Sequence, residues 1–318
     1  MRTVDMESRF ESGKLNKKSD VSIFALMLNW NELAVTVPCI ESLKKSKLPF
    51  EKIVVLDQAS EDGSYEKLRS LYEGDDQVIV VLNEKNYGFA LGMNKGVKKS
   101  IGMGATLVFL VNNDTVVDED CLQNLYDVIE TMPLAAAVGP AIMYYSNPNK
   151  IWQAGGYFNR LRMGVAVPYK GMMYSDIAKD VTSVEFLTGC ALLIPVATFE
   201  RVGYLDPAYF FYGEDADYGL RIKEAKMNLY FVPTAKVWHK VEDIAVDRTT
   251  PYVLYHLAKS TAILMRKRFS IVRGGYGVFL QFTVYTLFRT WQILKARRGV
   301  DSIIAWLRGL IDGIFEKV

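Results

Sequence analysis

Residues 106–118 read TLVFLVNNDTVVD, and this stretch decides how the rest of the chain is read. The apolar run 107–111 ends abruptly in Asn112, Asn113 and Asp114, the pattern of a short strand buried on both faces. A carboxylate at the C-terminal end of such a strand lies where open α/β sheets bind ligands. Asp114 is therefore the first candidate for chemistry, holding a divalent metal against a phosphate. The competing reading is that Asn-Asn-Asp is only turn chemistry after a strand.

Outward from that strand, apolar runs alternate with helical patterns through the first half. VSIFALML (21–28) predicts a strand. NELAVTVPCIESLKKS predicts a helix, with Asn31 as a candidate cap and Glu32 in its first turn. EKIVVLD predicts a second strand ending at Asp57, and SEDGSYEKLRSLYEG a turn into a helix from about Ser64. QVIVVLN predicts a third strand, and GFALGMNKGVKKSIGMG a helix leading into the fourth. Strands and helices alternating at this spacing predict a parallel sheet with right-handed crossovers. Beyond about residue 140 the regularity breaks. GGYFNRLRMGVAVPYKG reads as a hairpin or loop, VEFLTGCALLIP as a strand, and a helix is expected from near Glu214 to near Asn228. YFVP and AKVWHK read as short extended segments, and the pattern is helical from about Thr250 onward.

The chain has 318 residues, half of them hydrophobic and 23% charged, which excludes a disordered chain. Cys39, Cys121 and Cys190 are widely spaced and form no CxxC pair, so a reducing cytosolic setting fits best and a structural zinc site is not expected. The net charge of +2 conceals a split. Residues 249–318 hold 11 Lys and Arg against 3 Asp and Glu, a net +8, whereas residues 1–248 hold 27 against 33, a net −6. A basic, aromatic-rich end points to an anionic surface, and no recognition fold for nucleic acid accompanies it. Residues 1–19 are polar, lack the apolar stretch of a signal peptide, and read as a tail.

Three further groups carry chemistry. Asp57 closes a strand ahead of QASEDGS, where a carboxylate can accept hydrogen bonds from a nucleobase or ribose or can serve only as turn chemistry. Gly88, in NEKNYGFALGMNKG, would let backbone approach a ligand. Neither GxGxxG nor GxxxxGK follows any strand, so dinucleotide and ATP readings have weak support. YGEDADYGLRIKEA gathers Glu214, Asp215 and Asp217, acids that complement a helix dipole, with Arg221 four residues beyond Asp217 as a surface partner. The preceding LDPAYFFY is aromatic. A carboxylate beside such a wall has a raised pKa, which suits a general base acting on a sugar hydroxyl. His239, in AKVWHK, is either a packed residue or, with Asp114 near it, part of a metal site.

Taken in order, VSIFALMLNWNE, VVLDQASEDGS, NEKNYGFALGMNKG, FLVNNDT, FLTGCALLIP, GYLDPAYFFYGEDADYGLR and VPTAKVWHK resemble the inverting glycosyltransferases of family 2, over about residues 20–240. The branch they look most similar to transfers rhamnose or galactofuranose. The resemblance implies a GT-A fold, with a mixed, mostly parallel α/β sheet flanked by helices. It implies a UDP- or dTDP-sugar donor, a glycan or lipid-linked acceptor, and Mg²⁺ or Mn²⁺ as cofactor. By resemblance Asp57 reads the donor's base and ribose, and Asp114 is the metal-binding acid of a DXD motif whose first Asp is here Asn112. His239 reaches the metal or diphosphate, and Gly189 shapes the donor and acceptor pocket. Asp215 is the catalytic base, flanked by Glu214. Asp217 and Arg221 support it, with Arg221 also among the donor-binding positions. Asn29, Asn31, Asn86, Gly88, Asn94 and Asn113 complete that donor-binding set.

The expected organisation is a tail over 1–19, a catalytic domain over 20–248, and a basic amphipathic helical region over 249–318. In that last region YGVFLQFTVYTLF (276–288) is too short for a span, which needs about 20 residues. VDSIIAWLRGLIDGIFEKV, with Trp306 and Phe315, closes the chain. Basic ends around aromatic helices predict in-plane attachment to anionic lipid at the inner face of the cell membrane. The alternatives are a cap on the catalytic domain or a face for a second copy in a homo-oligomer. A catalytically silent nucleotide-sugar-binding or membrane scaffold protein is the alternative function, suggested by Asn112. A sugar-phosphate nucleotidyltransferase would need an Arg-containing Gly-rich loop after the first strand, which is missing.

Overall fold

The computed structural model describes residues 21–241 and 249–317, so the tail expected over 1–19 lies outside the described residues. Strands β1 (Ile23–Asn29), β2 (Lys52–Asp57), β3 (Val78–Leu82) and β4 (Leu107–Val111) form from the apolar runs. In β1, Ile23, Ala25 and Met27 enter one buried cluster while Phe24 and Leu26 enter another. Successive side chains of a strand point to opposite faces, so a run without polar positions belongs to a sheet covered on both sides. Each fully buried Leu or Phe there contributes about 1.5–3 kcal/mol relative to exposure. Helices α1 (Leu33–Lys44), α2 (Ser64–Leu71) and α3 (Gly88–Gly102) supply crossovers, and β1 pairs in parallel with both β2 and β4. Asn31 is not the cap of α1. It stands at φ +57° and accepts the Glu61 N–H on its side-chain oxygen at 2.8 Å, and Glu32 takes the cap position.

The second half is more regular than its sequence. β5 (Thr115–Val117) and α4 (Cys121–Thr131) lead into β6 (Ala135–Tyr144), a ten-residue strand running through the position where the pattern was expected to break. β7 (Ile151–Gln153) and a small hairpin, β8 (Tyr157–Asn159) with β9 (Gly164–Ala166), follow. The segment read as one strand in VEFLTGCALLIP is divided between the end of β10 (Thr182–Val184), a turn, and β11 (Ala191–Pro195). After α5 (Val196–Val202) and α6 (Glu214–Glu224), the two extended segments prove to be one strand, β12 (Asn228–His239), irregular between Val232 and Lys236. The main sheet runs β10-β12-β6-β11-β4-β1-β2-β3, with β5 on β12 and β7 on β6. β11 is antiparallel to its neighbours and β12 is parallel to β6, so the ends of β1, β2, β4 and β12 and the start of β11 share one edge.

The C-terminal helices are α7 (Pro251–Arg268), α8 (Ile271–Leu280), α9 (Thr286–Lys295) and α10 (Val300–Phe315). α7 shares a core with the sheet-bearing half, where Ile263, Leu264 and Met265 pack with Phe158, Phe186 and Tyr209. Lys267 pairs with Asp206 at 2.5 Å. α10 lies close against α7, because a Cβ at Gly309 would stand 2.2 Å from the Tyr255 carbonyl oxygen. Trp306 therefore faces protein rather than lipid. It is buried with Leu254, Ala258 and Leu310 and donates Nε1–H to Thr286 Oγ1 at 2.9 Å. Among the described residues no helix is long and apolar enough to cross a membrane.

Candidate active site

The shared sheet edge gathers the candidate residues. Asp114 follows β4, and β5 pairs with the end of β12 so that Thr115 faces His239. This register brings His239 Nε2 to 3.0 Å from Asp114 Oδ2. The other oxygen, Asp114 Oδ1, is buried with no hydrogen-bond partner among the described residues. Burial disfavours a charged His239 ring, but the Asp114 carboxylate at hydrogen-bond distance favours it and holds the ring's pKa above the ordinary imidazole value. Trp152 stands edge-on to the ring at 4.5 Å. An orphaned carboxylate oxygen suits Mg²⁺ or Mn²⁺, ions that favour one or two carboxylates completed by substrate phosphate oxygens and water; His239 would join it as a ligand only by giving up its proton to the ion's charge. Among the described residues no group of three or more His, Cys, Asp or Glu is placed to hold a metal ion.

Glu214 and Asp215 open α6 after two left-handed residues, Tyr212 at φ +66° and Gly213 at φ +88°. Positive φ at a bulky residue such as Tyr212 is uncommon and carries strain. Gly213 meets Tyr209 and the Ser260 Cβ of α7 so closely that a side chain there would crowd both. Asp215 accepts the Ala216 N–H at 2.8 Å and, more weakly, the Gly189 N–H at 3.4 Å. Burial pushes its pKa up against those hydrogen bonds. Glu214 is pushed up too, by burial first and by the Asp215 charge second, and its Oε2 has no partner among the described residues. Two adjoining buried acids titrate as a pair, and both hold their protons more tightly than ordinary carboxylates do. Asp215 also lines a cavity of about 410 Å³ with Trp152, Phe186 and Thr188 on one side and Leu257, Ser260 and Leu264 of α7 on the other.

Asp217, two residues on, is different. It is wholly buried, and it accepts hydrogen bonds from Arg221 Nε at 2.8 Å, Arg268 Nε at 2.6 Å and the Tyr209 hydroxyl at 3.3 Å. Arg221 is not a surface partner. Its remaining nitrogens donate to the Val202 and Tyr204 carbonyls, so its guanidinium is occupied by the fold rather than by a donor. Arg268, on α7, carried no sequence signal because nothing in its own neighbourhood announces a partner 51 positions away.

The donor-side candidates divide similarly. Asp57 is buried and accepts Ser60 N–H at 2.7 Å, Ser60 Oγ–H at 2.8 Å and Asn29 Nδ2–H at 2.6 Å. Asn29 accepts the Thr36 hydroxyl at 2.7 Å, and Asn113 donates to Thr36 at 2.8 Å and Glu32 at 3.1 Å, linking the ends of β1, β2 and β4. Asn94 lies away from the edge, with both ends of its amide on the Leu205 backbone. Asn86 accepts the Gly88 N–H at 2.8 Å in a local turn. Gly88, at φ +73°, admits protein rather than ligand, since a Cβ there would stand 2.4 Å from the Phe210 carbonyl oxygen. Gly189 meets both Asp215 and the Phe89 ring, inside the site.

Known proteins share this architecture. The mannosyltransferase PcManGT from Pyrobaculum calidifontis, solved with GDP-Man and Mn²⁺, superposes with a TM-score of 0.56 at 12% identity, covering 99% of this chain and 95% of that one. In sequence, the chain is similar to the low-salt glycan biosynthesis hexosyltransferase Agl10 of Haloferax volcanii, 21% identical over 84% of this chain and 83% of the relative. It is also similar to the N-acetylglucosaminyl-diphospho-decaprenol L-rhamnosyltransferase of Mycobacterium tuberculosis, 24% identical over 69% of this chain and 75% of the relative. The sheet with its antiparallel β11 and helical flanks is the GT-A fold. The family model for glycosyl transferase family 2 matches residues 25–203, which run from within β1 through α5 and include the Asp114 edge, and the chain belongs to that family of glycosyltransferases.

Proposed function

We propose that this enzyme is an inverting, metal-dependent glycosyltransferase. It moves a hexose or deoxyhexose, such as rhamnose, from a UDP- or dTDP-sugar to a glycan or lipid-linked acceptor at the inner face of the cell membrane. The observation that carries the reading is Asp215, a carboxylate with a raised pKa and, among the described residues, no cationic partner, at a cavity wall and at the same sheet edge as the orphaned oxygen of Asp114. Asp114 and His239 would hold the Mg²⁺ or Mn²⁺ ion, whose chemistry when bound is to offset the charge of the donor diphosphate as it leaves. The acceptor enters the cavity beside α7. Asp215 takes the proton of its hydroxyl, and the oxygen bonds to the anomeric carbon on the face opposite the departing diphosphate. One displacement inverts that carbon and needs no covalent enzyme intermediate. Glu214, protonated, leaves Asp215 as the acid that ionises first. Asp217 acts by position: with Arg221 and Arg268 it fixes the turn of α6 that presents Asp215.

The test is the melting temperature of wild type and Asp114→Ala with UDP, dTDP, GDP and their sugars, each with and without Mn²⁺. A ligand that binds only the folded state raises the melting temperature. One nucleotide class should give a Mn²⁺-dependent rise that Asp114→Ala abolishes. No rise with any of them would reject the donor site, and a rise without sugar transfer in any acceptor assay would favour the silent binding protein.

A further inference from the structure

α8 and α9 are joined through Gln281–Tyr285, so residues 271–295 form one continuous helical rod. Its outer face is apolar: Val272, Phe279, Val284, Leu287, Trp291 and Leu294 recur at helical intervals, and Leu287 is 73% exposed. From residue 269 to 300 the chain contains no Asp or Glu; Arg289 turns inward over the Trp306 ring and lines the cavity, whereas Arg273, Lys295, Arg297 and Arg298 are exposed. A second element continues this face. The turn of the β8–β9 hairpin reads Arg160-Leu161-Arg162, with Leu161 80% exposed. It is tied to the rod, because the Tyr276 hydroxyl donates to the Leu161 carbonyl at 3.1 Å and the Tyr285 hydroxyl to the Arg162 carbonyl at 2.8 Å. Two elements far apart in sequence thus present the same composition, exposed apolar side chains among basic ones with no acid in either.

We propose that the outer face of this rod and the β8–β9 turn together dock onto an anionic lipid bilayer, with the cavity of Asp215 opening beside the docked face. Apolar side chains enter the boundary between headgroups and acyl chains while the basic residues meet lipid phosphates. The charge pattern selects lipid over a second copy of the chain, since two such faces opposed would bring only cations together. The cavity walls include Met163, Gly164 and Val165 from the same hairpin and Met265 from α7. An acceptor held in the membrane by a lipid can therefore bring its sugar to Asp215 along the hairpin. That orientation rests on Asp215 being the base, whereas docking itself does not.

The experiment is co-sedimentation of the full chain with vesicles of phosphatidylcholine alone and of phosphatidylcholine mixed with phosphatidylglycerol, at low and high salt. Wild type should bind only the mixed vesicles, and salt should weaken it. The pair Lys295→Gln with Arg297→Gln should lower partitioning roughly 25-fold, about fivefold for each basic residue. The pair Phe279→Ser with Leu287→Ser should lower it at least tenfold for each apolar side chain, roughly the value of burying one. Leu161→Ser alone should weaken binding with the rod unchanged. Equal binding to neutral vesicles, or unchanged binding in both pairs, would overturn the proposal. So would no vesicle binding by a wild type that sediments as an oligomer and becomes monomeric with the same substitutions. Vesicle binding is read without donor and does not depend on the base, so retained transfer by Asp215→Asn in a separate assay, with vesicle binding intact, rejects the base and leaves the docking face standing.

Discussion

Asp215 and Asp217 lie two residues apart in the first turn of α6, and their surroundings are opposite. Asp217 is buried against two guanidinium groups and a tyrosine hydroxyl, so its charge is balanced where it sits. Among the described residues Asp215 has only backbone N–H groups and Thr188 against its carboxylate, beside a second acid, and burial raises its pKa. A buried charge held by cations serves the fold, because removing one partner leaves the others uncompensated. A buried charge without a cation is costly to the fold and ready to accept a proton, and such groups concentrate at functional sites.

The comparison is broken most severely by exchanging each acid for its amide. Asp215→Asn should lower transfer by roughly 10²–10⁴-fold, the range of a general base, while donor-dependent melting shifts persist; retained turnover in a purified-donor assay would remove Asp215 from the chemistry. Asp217→Asn should act on stability instead, costing about 3 kcal/mol by leaving two arginines without their shared carboxylate, read as a lower urea midpoint at an unchanged slope. Transfer measured well below its melting temperature should survive in part.

A smaller effect sharpens the contrast through its sign. Asp215 and Glu214 both have raised pKa values in the folded protein, so the folded state holds protons that the unfolded state releases near pH 4. Their contribution to stability is complete below the ordinary carboxylate range and is lost as pH rises through the raised values. Asp215→Asn should therefore melt higher than wild type at pH 8, by roughly 2–4 °C for each kcal/mol, and at the wild-type temperature at pH 4. An equal difference at both pH values would show that the carboxylate is not destabilised by burial.

Much of this contrast was legible in advance, and the reasons differ by region. The apolar runs of β1, β2 and β4 could only be strands buried on both faces, and each places a polar residue at the common edge. β6 was missed because AAAVGPAIMY has the alanines, glycine and proline that strands usually avoid. It is a strand because Leu193 of β11 and most of β12 pair with it. The pairing of Asp114 with His239 was foreseen from their order in the chain, and the register of β5 against β12 produces it. Motif matching overreached at Gly88, Asn94 and Arg221, whose special features are taken up by Phe210, Leu205 and Asp217. It was blind to Arg268 and to the α7 wall of the cavity, since contacts made by a helix across the tertiary fold leave no local pattern.

The most direct measurement of the Asp215 assignment is kcat/KM for sugar transfer against pH, because it reports the essential base of the free enzyme. The rate should fall as pH drops through a value clearly above the ordinary aspartate pKa of about 3.9. Asp217→Asn should leave the position of that limb nearly unchanged. An acid limb at the ordinary aspartate value, or one that moves with Asp217 and not with the cavity around Asp215, would contradict it.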